Sequence, residues 1–185
     1  MATSSDSFQF LTPRNQVCAH AALKVAQAAS MIYPVAYIGL GLSRRRPMSV
    51  SRLMRGAQVS VLGGAGVGWG LGYLRLRDQS EEAIEDRVYR LKHNRSQVRA
   101  DDYSFIGAFI GMLISPAVFL NRAGIVTLCA GGASIGLGAG VWVHITKSFV
   151  EGRELKPEGM ASELPVLSDN KSSEVATLPE KKEGA

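Results

Sequence analysis

The sequence predicts an all-α integral membrane protein, a glycine-rich bundle of four transmembrane helices with a charged helical connector and disordered tails. Three observations carry this reading. Four charge-poor stretches lie within residues 16–147, separated by polar connectors. None of the four contains an aspartate or glutamate. Glycines recur at four-residue spacing in the second, third and fourth stretches. The mean hydropathy of the whole chain is only slightly positive because polar ends dilute this apolar middle.

Residues 1–15 are rich in serine and threonine and read as a flexible N-terminal tail. They form neither a secretory signal nor an arginine-rich presequence, so any targeting information is expected inside the chain. The first span is placed at residues 17–42. Its purely apolar part, 28–42, is shorter than the ~20 residues a crossing needs. Including 17–27 supplies the length, provided that Lys24 reaches the interface. The alternative is that His20, Lys24 and Gln27 keep this segment on the membrane surface, leaving three spans. Pro34 is expected to kink the helix.

A basic connector follows, with Arg44, Arg45, Arg46, Arg52 and Arg55 and no acid. The second span, 57–74, is uncharged. The connector 75–102 carries seven basic and seven acidic residues. Within it, Ile84, Val88, Leu91 and Val98 recur at helical spacing, and Asp86 stands four residues before Arg90, so an amphipathic helix is expected there. The third and fourth spans are placed at 103–120 and 123–145. Joined as one helix they would reach ~60 Å, about twice the hydrocarbon core. A tight hairpin turning at Asn121 and Arg122 is therefore the better reading, with Pro116 loosening the helix before it. Residues 148–185 are polar and proline-containing and read as a disordered C-terminal tail.

Helices already in lipid associate by close packing, which small residues permit. Gly64, Gly68 and Gly72 share one face of the second helix, and Gly66 and Gly70 lie ~200° away, so this helix is expected to be gripped from both sides. Gly107 and Gly111 thin one face of the third. Gly132, Gly136 and Gly140 form a zipper on the fourth, with Ala130, Ser134 and Gly138 on another face.

Catalytic constellations do not emerge. His20, His93 and His144 stand apart in sequence, and Cys18 and Cys129 lack zinc-ligand spacing. No phosphate loop, dinucleotide fingerprint or nucleophile elbow occurs. The sequence thus predicts a non-enzymatic protein with no cofactor and no metal. Its net charge of +5 comes from arginines beside apolar segments, as topology signals require, and nothing interleaves aromatic and basic residues for nucleic acid. The expected partners are membrane lipids and membrane-protein subunits. Four spans would put both tails on one side and the Arg44–Arg55 connector on the other, the cytoplasm-equivalent side.

Arg99 and the paired Asp101 and Asp102, followed by Gly107 and Gly111, resemble a motif of the four-span Tim-type family of the mitochondrial inner membrane. That family includes translocase subunits and an accessory subunit of respiratory complex I. The glycine-rich second and fourth segments and the unopposed basic loop are also similar, over roughly residues 16–147. The chain lacks the asparagine usual after the paired acids, where Tyr103 or Ser104 falls. The resemblance implies a structural or assembly component of a mitochondrial inner-membrane complex, with Arg44, Arg45, Arg46, Arg99, Asp101 and Asp102 as topology and charge contacts. The alternatives are a small carrier or pore for protein segments, lipid or solute, and the endoplasmic reticulum membrane as location.

Overall fold

The computed structural model describes residues 10–45 and 47–150. Arg46 and both expected tails, apart from a few residues next to the helices, lie outside the described residues. The described chain is all-helical: α1 (Pro13–Ser43), α2 (Val50–Leu76), α3 (Glu81–His93), α4 (Arg95–Phe119) and α5 (Ile125–Val150).

Local chemistry sets the helix ends. Pro13 stands in the first turn of α1, where its fixed φ and missing N–H cost nothing, so α1 starts before the apolar pattern does. Pro34 and Pro116 are accommodated inside α1 and α4 without ending them. The Ser80 side chain accepts from the Ala83 N–H at 3.4 Å to open α3. Glu81 and Glu82 in the first turn, and Arg90, Lys92 and His93 in the last, complement the helix dipole. Asp86 and Arg90 pair at 3.0 Å.

Asn94 separates α3 from α4 and caps the latter, its side chain accepting from the Gln97 N–H at 3.3 Å. This corrects two expectations. Val98 belongs to α4, not to the connector helix. Asp101 and Asp102 stand inside α4, not in a connector before it, because α4 begins well before the apolar run at 103. An acid pair therefore does fall within a long apolar helix.

The helices form two hairpins. α1 and α2 pack along their length, as do α4 and α5 around the turn at 120–124, and α5 also touches α1 and α2. α3 closes one end, with Ile84 buried against Cys18 and Leu76 and with Val17 beside them. Half of the most apolar window of α5 is buried, against 11% of that of α4, so α5 is the central helix.

Three helices, not four, are long and apolar enough to cross a membrane: Pro13–Ser43, Ser96–Phe119 and Ile125–Val150. α2 is long enough but falls short in apolarity. Its uncharged part is built around Gly56, Gly63, Gly64, Gly66, Gly68, Gly70 and Gly72, and a residue without a side chain adds almost no apolar surface. Three such helices suggest a membrane-associated chain. The outward faces fit that solvent, with Ile32, Val35, Phe109, Leu113 and Val126 all exposed.

Candidate functional site

A polar cluster joins the two hairpins. On α1, His20, Lys24 and Gln27 follow one another at four and three residues. On α4, Gln97, Asp101 and Ser104 do the same. That spacing puts each trio on one helix face, and because α1 and α4 run in the same direction the two stripes meet rung by rung. His20 Nε2 lies 3.1 Å from Gln97 Oε1. Lys24 Nζ donates to Asp101 Oδ1 at 2.6 Å. Gln27 Nε2 donates to the same oxygen at 2.7 Å and lies 2.8 Å from Ser104 Oγ. Ser104 Oγ donates to the Asp101 carbonyl at 2.8 Å. His20 Nδ1 stands 4.0 Å from Asp101 Oδ2.

Asp101, Gln27 and Ser104 are buried, whereas the Lys24 side chain keeps 31% of its surface open. A carboxylate at this depth is tolerable only when paired and hydrogen-bonded, and Asp101 is both. Among the described residues no buried side-chain polar atom lacks a hydrogen-bond partner. The backbones of α1 and α4 hardly approach one another, so long polar side chains bridge the gap. Next to the cluster, Lys147 Nζ donates to Tyr103 Oη at 2.9 Å, and the Tyr103 ring stands 5.5 Å from that of His144.

The structure thus separates the expected charge contacts. Asp101 is drawn into the bundle by Lys24 of α1. Asp102 is half-buried and Arg99 exposed. Arg44 and Arg45 are exposed at the opposite end of the bundle. Lys24, Gln27, Gln97 and Ser104 are cluster members that the sequence did not nominate, although the matching four-and-three spacing of the two polar trios was there to be read.

The glycines fall into distinct contacts. A Cβ added to Gly64 would lie 3.0 Å from Ala29 Cβ and the Val25 carbonyl oxygen, one on Gly68 2.5 Å from the Ala21 carbonyl oxygen, and one on Gly72 3.1 Å from Cys18 Cα. That row lies against α1. Gly107 and Gly111 face Gly132, Gly136 and Gly140 backbone to backbone. Two further glycines let α5 meet the other hairpin. A Cβ on Gly138 would sit 2.7 Å from the Ser30 carbonyl oxygen, and one on Gly131 2.5 Å from Met54 Cβ. Hydrogen bonds reinforce both places: Ser30 Oγ donates to the Ser134 carbonyl, and Gln58 Nε2 to the Thr127 carbonyl at 2.9 Å. Gly63, Gly66 and Gly70 meet open space among the described residues, so there α2 is gripped from one side and not from both.

His93 bonds locally, Nδ1 lying 2.8 Å from the Tyr89 carbonyl oxygen. Cys18 and Cys129 are both free thiols. Among the described residues no group of three or more His, Cys, Asp or Glu is placed to hold a metal ion.

Comparison with curated proteins and with solved structures finds no match. Residues 7–147 match the model of a family described as a protein of unknown function, DUF1757. That segment covers α1 to α4 and all but the last turn of α5, hence both hairpins and the polar cluster between them, and the chain belongs to the DUF1757 family.

Proposed function

We propose that all four long helices cross the bilayer and that the protein is a non-enzymatic structural or assembly subunit of a membrane complex, held together by glycine-mediated helix packing. α2 crosses as the partner of α1, shielded along Gly64, Gly68 and Gly72. Its uncharged stretch 56–74 would span ~28 Å at 1.5 Å per residue, about the thickness of the hydrocarbon core. The compartment favoured by the Tim-type resemblance is the mitochondrial inner membrane.

The observation that carries the subunit reading is the open face of α2 at Gly63, Gly66 and Gly70. Lipid gains little against a bare backbone, whereas a neighbouring helix packs closely on it. The test is native-gel migration of the full chain from its own membranes, compared with a Gly66→Leu/Gly70→Leu variant. Both side chains enter open space, so the monomer should fold normally. Wild type should run at a complex size and the variant at the monomer size. A wild-type chain that runs as a monomer would overturn the reading. One observation favours the alternative of a small carrier: an ion pair, Lys24 with Asp101, set inside long apolar helices. Solute uptake by purified protein in liposomes would select that alternative.

A further inference from the structure

We propose that the end of the bundle carrying Arg44, Arg45, Arg52 and Arg55 is a binding site for the phosphate headgroup of an anionic phospholipid. The inference rests on the membrane-spanning reading above and adds to it a specific ligand.

Charge is sorted to an unusual degree along the bundle axis. No aspartate or glutamate occurs in residues 10–77 or in residues 103–150. Every carboxylate among the described residues lies within 78–102, which places them all at the α3 end. Arg44, Arg45, Arg52, Arg55 and Arg122 stand exposed at the other end. The two ends are separated by the length of the helices, ~30 Å or more, so no described acid can serve as counterion there.

The arginines are also placed against local preference. The N-terminus of a helix is its positive end and favours acids. α2 has no acid in its first turn, and the Ser49 side chain forms no cap. It carries instead Arg52 and, one turn on, Arg55. Arg45 adopts φ 47°, a left-handed conformation that glycine or asparagine takes at lower cost. The entry to α2 is anchored: Tyr37 Oη accepts from the Ser49 N–H at 3.2 Å and lies 3.3 Å from the Ser49 carbonyl oxygen. Tyr33 stacks against Tyr37 at 6.0 Å, and tyrosines of this kind mark the level of lipid headgroups. An anchored entry to α2, four unopposed guanidinium groups and a headgroup-level aromatic pair together suit a phosphodiester, to which arginine donates in a fork.

The test uses the full chain, purified and delipidated in detergent, titrated with phosphatidylglycerol, phosphatidylcholine or soluble glycerol phosphate and read as an apparent Kd by thermal shift. Phosphatidylglycerol should bind preferentially. Arg52→Gln/Arg55→Gln should weaken it about thirtyfold, which is ~2 kcal/mol at 1.4 kcal/mol per tenfold and follows from ~1 kcal/mol per basic residue at an anionic surface. Arg75→Gln/Arg77→Gln, at the α3 end, should leave it within about twofold. Equal binding of the two lipids, equal loss in both variants, or an equal shift from glycerol phosphate would each overturn the site. Alkaline extraction after reconstitution into phosphatidylcholine vesicles separates the two claims. A chain that inserts but shows no phosphatidylglycerol preference refutes the site alone, and a chain that fails to insert refutes the spanning reading as well.

Discussion

Replacing Asp101 isolates what holds the two hairpins together at the α3 end. Lys24 Nζ and Gln27 Nε2 both donate to the same oxygen, Oδ1, at 2.6 and 2.7 Å. Asp101→Asn can therefore keep both bonds while losing the charge. Hydrogen bonds to a charged group contribute ~1.5–3 kcal/mol and neutral ones ~0.5–1.5 kcal/mol, so Asn should cost about 1–2 kcal/mol. Asp101→Ala removes the acceptor altogether. Breaking a buried pair by deleting one partner costs ~3–5 kcal/mol. The lower end applies here, because the Lys24 side chain is 31% exposed and regains some solvation. Gln27 also keeps its contact with Ser104 at 2.8 Å. Lys24→Met combined with Asp101→Leu removes both charges, and its cost should fall below the sum of the single changes by at least 1 kcal/mol. Neutral interhelical bonds in a bilayer average only ~0.6 kcal/mol, so a coupling of that size belongs to the charges. Stability would be read by thermal melting in detergent micelles. Single variants within ~0.5 kcal/mol of wild type, or additive costs in the double variant, would refute the clamp.

Gly68→Leu should lower the melting temperature and steady-state level well beyond Leu62→Ala. Its Cβ would meet backbone of α1 at 2.5 Å, and overpacking costs ~1–3 kcal/mol, whereas Leu62 is 72% exposed; equal melting temperatures for the two would refute the α1–α2 contact. In a four-span topology, protease or glycosylation reporters at the two ends of the chain should report the same membrane face, and opposite faces would return α2 or α1 to the surface.

Much of this architecture was legible in the sequence, and the rest was hidden for identifiable reasons. The connector helix was readable because Ile84, Val88 and Leu91 show a helical period, and Asp86 and Arg90 the expected pairing. The hairpin at Asn121 and Arg122 was readable because one helix through it would be too long. Glycine spacing marked faces on which a neighbour could sit close. It could not tell which of two equivalent-looking rows on α2 is occupied, because Gly64, Gly68 and Gly72 differ from Gly66 and Gly70 only in what faces them. The polar cluster was missed for a similar reason. His20, Lys24 and Gln27 looked like obstacles to insertion, and the start of α4 was placed at 103, where apolarity begins, which left Asp101 outside the helix. Only when Asn94 is seen to open α4 at Arg95 do Gln97, Asp101 and Ser104 become a helical stripe able to answer that on α1.

The glycines of α5 open it on three sides, to α4 through Gly132, Gly136 and Gly140, to α1 through Gly138, and to α2 through Gly131. This helix is also the last of the five to leave the ribosome. Until it arrives, Ser30 on α1 and Met54 on α2 lack the neighbour they pack against, and that flank of the first hairpin stays uncovered. Completion of the helical core therefore waits on α5. A chain cut short before residue 125 would hold most of the apolar sequence and yet present an unfinished surface, the kind of surface by which membrane quality control distinguishes an orphan from a completed protein.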